Sequence, residues 1–229
     1  MDARQNRAAG SGRAEPRLPR RRLLAGVAAG AAVLAAGTAA RAACALTPRQ
    51  PEGPFYPVAV READWDLTRV SGASGRAEGA VIEVTGRIFG ANCRPLPGCV
   101  IELWQANRHG RYDHPGDRQQ DRPLDPNFQG YARLAADADG AYRFVTIVPG
   151  AYPASHIWMR PPHIHFRLRA PGHRPLTTQM YFAGEPLNER DRLLASVPPD
   201  RRAALQVAFD RRTAEGIPAG AFDMTLARA

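Results

Sequence analysis

The clearest hydrophobic pattern in the chain is an alternation of apolar and polar residues over His163–Arg169, directly after Pro161 and Pro162. In a β-strand, successive side chains point to opposite faces. The pattern therefore predicts a strand with one apolar face and one polar face. The apolar face comprises Ile164, Phe166 and Leu168, and the polar face comprises His163, His165, Arg167 and Arg169.

Five further β-rich runs are separated by turns rich in Gly and Pro. They are Val81–Phe89, Cys99–Gln105, Ala141–Ile147, Thr177–Phe182 and Phe222–Leu226. Several short strands between turn signals are typical of a sandwich. Helical periodicity occurs only around Glu189–Ala195 and Pro199–Phe209. We therefore predict an all-β fold: an antiparallel β-sandwich with long loops and short peripheral helices.

The chain divides into three parts by composition. Residues 1–42 contain Arg20-Arg21-Arg22, an Ala/Gly-rich apolar run and a small-x-small site at Ala40-Arg41-Ala42. This is the pattern of a cleaved signal peptide, and the paired arginines indicate a twin-arginine type. Residues 43–80 form an N-terminal extended segment whose prolines exclude a helix or a central strand. Residues 81–229 form the β-sandwich domain.

The apolar run of the signal has about 18 residues and little Leu or Phe, which is the lower limit for a membrane span. We therefore predict export to the periplasm or the cell exterior through the twin-arginine pathway. No stable membrane span is expected after cleavage. A retained anchor and lipidation at Cys44 stay open as alternatives, although Arg41 three residues earlier disfavours lipidation.

The formal net charge of +9 is concentrated at the N-terminus. Residues 1–42 carry eight Arg against Asp2 and Glu15, which is +6, so the remaining chain carries only +3. A weakly basic body lacks the footprint of a nucleic-acid-binding protein. Three cysteines, Cys44, Cys93 and Cys99, predict one disulfide and one odd thiol in an oxidising compartment. The sequence leaves their pairing open, although a turn could bring Cys93 and Cys99 together.

Candidate chemistry begins with His163 and His165. Two residues apart on a strand, their backbones lie roughly 6.5–7 Å apart, so both rings can reach one metal ion. A carboxylate from a nearby polar loop would complete a two-His-one-carboxylate ferrous site. The candidates for that carboxylate are Asp113, Asp117, Asp121 and Asp125. Tyr112 and Tyr152 are the other candidates, since both follow predicted strands, where a sandwich places its loops.

These residues belong to segments that resemble the intradiol ring-cleavage dioxygenases, and above all the iron-bearing subunit type of the protocatechuate 3,4-dioxygenases. The matching segments keep the family's order. They are Pro51–Pro57, Gly98–Tyr112, Leu124–Gly130, Asp137–Pro153, Arg160–Phe166 and Leu176–Phe182. The resemblance implies that residues 81–229 are an intradiol dioxygenase catalytic domain.

The resemblance implies a mononuclear non-haem Fe(III) site. Tyr112 and Tyr152 would be tyrosinate ligands, and His163 and His165 imidazole ligands. The substrates would be a catechol, protocatechuate-like, and O2, and cleavage between the two hydroxylated carbons would give a cis,cis-muconate. Tyr152 would also be catalytic, because the substrate would displace it and transfer a proton to it.

Two more residues gain roles from the resemblance, and Trp158, in the segment that departs most from the family, is a further substrate-binding candidate. Arg160 and Gln179 match an arginine and a glutamine that contact the substrate, and both would be catalytic and substrate-binding. An always-charged guanidinium stabilises developing negative charge. Trp158 would line the mouth of the pocket.

The sequence also departs from the family pattern. Ala154 and Ser155 stand where an aromatic residue follows the Tyr-Pro pair in similar enzymes, so protocatechuate is the leading substrate and not the only one. A homo-oligomer stays open. The alternative function is a non-catalytic binding module of the transthyretin-like or carboxypeptidase-regulatory-like type, whose sandwiches share similar strand patterns.

Overall fold

The structure, a computed structural model, describes residues 45–60, 62–119 and 121–229. The predicted signal peptide and Cys44 lie outside the described residues. The strands are β1 (Val81–Gly90), β2 (Val100–Trp104), β3 (Tyr131–Ala135), β4 (Ala141–Ile147), β5 (Tyr152–Ser155), β6 (Trp158–Arg160), β7 (His163–Arg169), β8 (Leu176–Phe182), β9 (Gln206–Val207), β10 (Arg211–Arg212), β11 (Pro218–Ala221) and β12 (Met224–Leu226). Helical turns are Pro186–Arg190 and Pro199–Leu205, both 3-10, and α1 (Arg192–Ala195).

These strands form two five-stranded sheets and a separate hairpin. One sheet has the order β10-β11-β1-β12, with β4 also paired to β1. The other has the order β3-β2-β7-β8-β9, and β5 pairs with β6 alone. Among the described residues, no helix has the length and apolar character needed to cross a bilayer.

The apolar faces of the two sheets share one core, which confirms the predicted sandwich. Phe166 of β7 lies 6.0 Å from Phe144 of β4, ring centre to ring centre, and 5.2 Å from Phe222. Ile164 and Leu168 are fully buried in the same cluster. The apolar face of the histidine strand was therefore assigned correctly, and its polar face points away from this core.

The strand pairing is mixed: the predicted antiparallel pairing holds for most neighbouring strands, and three pairs of the described strands are parallel. β1 pairs in parallel with β11 and β12, and β8 pairs in parallel with β9. Alternation in a sequence reports which side chains share a face and contains no information on the direction of the neighbouring strand. The sequence also missed β3, β5, β6, β9, β10 and β11, each of five residues or fewer; β5 contains Pro153, which disfavours strands.

The N-terminal extended segment, which we call the strap, lies along the sheet that contains β7 and β8. Gln50 N donates to Thr177 O at 2.9 Å, and Thr178 Oγ1 donates to Pro48 O at 2.7 Å. Thr47 N donates to Thr225 O at 3.1 Å. These bonds direct the segment across β8 toward the polar face of β7.

The structure describes two of the three cysteines. Cys93 is disulfide-bonded, whereas Cys99 is a free thiol and is fully buried. Cys93 and Cys99 are therefore not joined to each other. The helical stretches predicted around Glu189–Ala195 and Pro199–Phe209 are present only as short turns. Prolines interrupt Pro186–Leu205, and Gln206 already belongs to β9.

Candidate active site

Two tyrosines and two histidines from three separate segments meet beside the polar face of β7. We call Tyr112, Tyr152, His163 and His165 the ligand cluster. Ring centres lie 5.5 Å apart for the two tyrosines, 5.6 Å for Tyr152 and His163, and 6.3 Å for Tyr112 and His165. All four residues are at most 4% exposed. The structure thus brings together the four residues that the sequence nominated.

Two glycines explain how the tyrosines reach each other. Gly110 and Gly150 each stand two residues before a cluster tyrosine, and their loops pack backbone against backbone. A Cβ on Gly110 would overlap Ala151 O, and a Cβ on Gly150 would overlap the backbone of the first loop. Gly110 also has a φ of +74°, which other residues rarely adopt. Arg122 Nη1 donates to Ala151 O at 2.8 Å and to His109 O at 3.0 Å, which ties the two loops together.

The two imidazoles present facing nitrogens. His163 Nδ1 lies 2.6 Å from Pro161 O, so Nδ1 carries the proton and Nε2 has a free lone pair. His163 Nε2 lies 3.2 Å from His165 Nε2. Two nitrogens bound about 2.1 Å from one metal at a near right angle lie about 3 Å apart. The spacing therefore fits two neighbouring ligands of a single ion.

The protonation states also suit a metal. Burial and the charge of Arg160 lower the pKa of His165 to about 3, and burial lowers the pKa of His163 well below its usual range. Both rings are therefore neutral near pH 7. Burial raises the pKa of both tyrosines, while Arg160 opposes that rise. A bound trivalent cation would reverse this balance and stabilise the phenolates.

A buried hydroxyl completes the test of fit. The buried Tyr112 hydroxyl faces the Tyr152 hydroxyl and has no well-formed hydrogen bond among the described residues. Buried polar groups normally have hydrogen bonds, so this hydroxyl calls for an explanation. Two phenol oxygens and two imidazoles are a hard and borderline donor set that suits Fe(III). The residues present therefore fit a ferric ion.

The strap and β2 cover the ligand cluster with aromatic rings. Phe55 stacks on Tyr112 at 4.7 Å and lies edge-on to Tyr152 at 6.1 Å. Trp104 stacks on His165 at 4.8 Å, with their planes only 6° apart. Gly53 sits so close that a Cβ there would be 3.4 Å from His165 Cε1. These rings cover one side of the cluster, and a cavity of about 340 Å³ that Phe55, Trp104 and Tyr112 help to line lies beside them.

A buried carboxylate anchors this cover. Glu102 Oε1 accepts hydrogen bonds from Tyr56 at 2.7 Å and Tyr131 at 3.0 Å, and Arg169 Nη1 lies 2.9 Å from Glu102 Oε2. Tyr56 in turn packs edge-on against Trp104 at 5.0 Å. The Glu102 carboxylate on β2 therefore connects the strap, through Tyr56, to β3 and β7.

Arg160 lies in a second group of buried side chains, which we call the guanidinium network: Arg160, Gln179, Tyr181 and Asp191. Arg160 Nε donates to Asp191 Oδ2 at 2.7 Å, and Arg160 Nη2 donates to Gln179 Oε1 at 2.6 Å. Arg160 is the cross-strand partner of Tyr152, and Gln179 is the cross-strand partner of His165. The predicted pair Arg160 and Gln179 is thus directly beside the ligand cluster.

Trp158 joins the network to an open groove. Arg160 and Arg192 each lie 5.5 Å from the centre of its ring. The groove has a volume of about 610 Å³ and is bordered by Trp158, Ile157 and Met159 of the β5–β6 hairpin. The placement agrees with the prediction that Trp158 borders an opening. Ser155 also borders this groove, so the departure from the family pattern falls here.

The carboxylate alternative finds no support in the described residues, where no three His, Cys, Asp or Glu side chains cluster to hold a metal. Asp117 Oδ2 accepts from Tyr112 N at 2.8 Å, and Asp125 accepts from Glu78 N and Asn127 N. These two aspartates therefore cap loop backbone, the ordinary role of such residues.

Comparison with known proteins now identifies the family. Residues 52–227 match the family model described as Dioxygenase. The chain belongs to the intradiol ring-cleavage dioxygenase family. It is 46% identical over 157 residues to the protocatechuate 3,4-dioxygenase beta chain of Burkholderia cepacia, covering 66% of each chain. It is 35% identical over 160 residues to a catechol 1,2-dioxygenase of Acinetobacter baylyi, covering 63% of this chain and 49% of that one.

Solved structures of this family share the fold. The dioxygenase domain of a dioxygenase and carbohydrate-binding protein fusion from Streptomyces sp. SirexAA-E is 35% identical, with a TM-score of 0.59 over 80% of this chain and 99% of that one. A catechol 1,2-dioxygenase from Acinetobacter sp. ADP1 is 28% identical, with a TM-score of 0.61 over 86% and 69%. The chain spans about half to two thirds of the curated relatives just described. Family membership favours an enzyme over the binding-module alternative.

Sequence reasoning missed several residues around the site. Trp104 was taken as core, and it is buried, but its ring stacks on His165. Phe55 belongs to a segment that carried the family resemblance, yet it had no role until its ring was found on Tyr112. Asp191 and Tyr181 gave no signal, because a helix-capping Asp and a strand Tyr are common in any sandwich.

Proposed function

We propose that this chain is a non-haem Fe(III) dioxygenase that cleaves a catechol between its two hydroxylated carbons and incorporates both atoms of O2 into a cis,cis-muconate. The observation that carries the proposal is the ligand cluster, with facing imidazole nitrogens 3.2 Å apart and two buried tyrosines whose hydroxyls face each other. Tyr112, Tyr152, His163 and His165 would hold the ion. When bound, Fe(III) would withdraw electron density from a chelating catecholate and make its ring reactive toward O2.

The chain's own residues would bind and orient the substrate. The Tyr152 phenolate oxygen would accept a proton from one catechol hydroxyl. Before that step Arg160, whose charge opposes the rise in the pKa of Tyr152 on burial, would favour the deprotonated form of Tyr152. The Arg160 guanidinium would stabilise negative charge on the bound ring. Gln179, held between Arg160 and Pro51 O, would present its amide beside the same ring.

The substrate class rests on the relatives and on the hairpin groove. One relative is named for protocatechuate and another for catechol. Ile157 is 81% exposed and Met159 40% exposed at the groove, which favours a catechol carrying a ring substituent. We take protocatechuate as the leading candidate and include apolar substituents because of this lining.

Export would suit catechols from outside the cell. The disulfide at Cys93 supports an oxidising compartment. The Streptomyces relative is a fusion with a carbohydrate-binding protein from a cellulolytic bacterium, and a plant-derived catechol would agree with that setting. Cleavage of the signal can be checked by N-terminal sequencing of the protein recovered from the periplasm or medium.

The test is oxygen uptake by the iron-loaded protein with catechol, protocatechuate, hydroxyquinol and alkylcatechols. The proposal predicts one O2 consumed per ring, with a cis,cis-muconate spectrum for at least one substrate. Iron-loaded protein that consumes no O2 with any of them, or that cleaves the ring outside the two hydroxylated carbons, would contradict it. Oxygen uptake at the same rate with and without bound iron would also contradict the proposal.

A further inference from the structure

The guanidinium network contains a buried carboxylate, Asp191, that contacts the guanidinium beside the ligand cluster. Asp191 is fully buried, and its partner Arg160 is only 4% exposed. A buried ion pair is weak evidence for added stability, because removing two charges from water is costly. An Arg and a carboxylate buried beside a reaction site therefore require a reason other than stability.

The hydrogen bonds show what Asp191 does to the guanidinium. Asp191 Oδ2 accepts from Arg160 Nε at 2.7 Å, and Arg160 Nη2 donates to Gln179 Oε1 and to the Tyr181 hydroxyl at 2.6 and 3.3 Å. Two of the three nitrogens are thereby engaged, and only Nη1 has no hydrogen bond to these residues. A planar guanidinium held at two nitrogens cannot rotate without breaking both contacts.

The second carboxylate oxygen ties this geometry to the fold. Asp191 Oδ1 accepts from Leu194 N at 2.8 Å and caps α1. The Tyr181 hydroxyl lies 3.1 Å from Gln179 Oε1 and 3.0 Å from Gln50 Oε1. Through these contacts the strap, β8 and α1 all fix one guanidinium beside Tyr152.

We propose that Asp191, supported by Tyr181, is a positioning residue that holds Arg160 in the orientation needed for catechol cleavage. The inference rests on the proposed function for its kinetic consequence. Its structural content is the coupling between Arg160 and Asp191. The two parts can be tested separately.

The informative variant is Asp191→Asn. Asn caps a helix about as well as Asp, so the bond to Leu194 N can be kept. An amide group that accepts from Leu194 N turns its NH2 toward Arg160 Nε, where two donors face each other. D191N therefore disturbs the orientation of Arg160 and retains the cap. Asp191→Ser is the second variant, since Ser also caps but cannot reach the guanidinium.

Four iron-loaded proteins form the kinetic test: wild type, D191N, Arg160→Met and the double variant. D191N should lower kcat about 10- to 100-fold with little change in KM, a range common for residues that orient a site group. In the R160M background, D191N should change kcat less than about threefold, because its target is gone. All four should keep the visible absorption of the loaded iron, which shows that the ligand cluster is intact.

Glu83→Gln is the matched control, since it removes a carboxylate that pairs with Arg143 at 2.6 Å on the other sheet. Its kcat should equal that of wild type.

The proposal is overturned if D191N and D191S keep wild-type kcat, or if D191N lowers kcat by the same factor in both backgrounds. Urea unfolding of the same four proteins gives an independent reading: non-additive midpoints support the coupling, and additive midpoints contradict it. A wild type that cleaves no catechol would contradict the proposed function alone and leave the unfolding result to decide the coupling.

Discussion

The ligand cluster and the guanidinium network lie side by side and are both buried, yet their polar atoms are satisfied to very different degrees. In the network, Arg160 Nε and Nη2 have partners within the protein at 2.7 and 2.6 Å. In the cluster, the Tyr112 hydroxyl has no well-formed hydrogen bond among the described residues, and its neighbour is the Tyr152 hydroxyl. A buried polar group that already has its hydrogen bonds needs no further partner. A buried donor without a hydrogen bond calls for an explanation, such as a bound ion.

This contrast assigns different roles to neighbouring residues. The cluster would bind the ion, and the network would hold one positive charge in a fixed orientation beside it. Substitutions in the cluster should therefore abolish metal binding, whereas substitutions in the network should spare the metal and slow the reaction. The predictions below test that difference, beginning with the largest effect.

His163→Ala should lower iron content and oxygen uptake by more than roughly a hundredfold, since even residues that only orient metal ligands change affinity by 10- to 100-fold. His173→Ala is the matched control, because His173 Nδ1 contacts Pro171 O at 2.9 Å much as His163 Nδ1 contacts Pro161 O. The control should keep full iron and activity. Equal losses in the two variants, measured by metal analysis and oxygen uptake, would remove the distinction between cluster and surface histidines.

Arg160→Lys should lower kcat about 10²- to 10³-fold, the usual loss for a group that stabilises developing charge. A lysine keeps the charge but cannot satisfy Asp191 and Gln179 together. The iron absorption should be retained. Arg143→Lys, on the sheet away from the site, should leave kcat unchanged. If R160K instead lost its iron, the network would have to be counted with the cluster.

Glu102→Gln should lower the free energy of unfolding at pH 7 by about 1.5–3 kcal/mol, because the charge-assisted hydrogen bonds from Tyr56 and Tyr131 are lost. Burial raises the pKa of Glu102, but the bonds from Tyr56 and Tyr131 and the nearby arginines outweigh it and lower the pKa overall. A carboxyl with a lowered pKa contributes stability above its unfolded pKa, near about 4.3, and loses it as the pH falls through the folded pKa.

The difference in the free energy of unfolding between wild type and E102Q should therefore become smaller below about pH 4. Urea unfolding at several pH values measures it. Glu78→Gln, which removes an exposed contact to His109 at 3.1 Å, should cost at most about 1 kcal/mol. A difference in the free energy of unfolding that stays constant down to pH 3 would mean that the charge of Glu102 does not contribute to stability.

The smallest effect concerns the free thiol. Burial raises the pKa of Cys99 to about 11, so almost no reactive thiolate is present at pH 8. A thiol reagent should leave the native protein unlabelled and modify Cys99 only after unfolding, as followed by mass spectrometry. Rapid labelling of the native protein would show that this part of the core opens readily.

The sequence predicted the features that depend on local pattern. The two faces of His163–Arg169 follow from alternation. Tyr112 and Tyr152 were candidates because of their places after strands, and their expected role as ligands came from the family resemblance. Trp104 and Asp191 could not be assigned, because their roles depend on which strands are neighbours and on how a distant turn folds back. Trp104 faces His165 only through the β2–β7 register, and Asp191 reaches Arg160 across 31 residues of sequence.

The parallel pairing of β1 with β11 and β12 escaped prediction for the same physical reason. Contacts distant in sequence are set by the packing of whole sheets, which no short window records. The family resemblance supplied the roles of Arg160 and Gln179, whereas the structure supplied the partners that hold them.

The central claim is that two tyrosines and two histidines bind one ferric ion, and a titration of the metal-free protein with Fe(III) tests it most directly. Coordinated tyrosinates absorb visible light, so wild type should bind one equivalent and develop a visible band. Tyr112→Phe and Tyr152→Phe should each weaken or shift the band, and the double variant should lack it. Iron that binds without a visible band, or a band that both substitutions leave unchanged, would contradict the account.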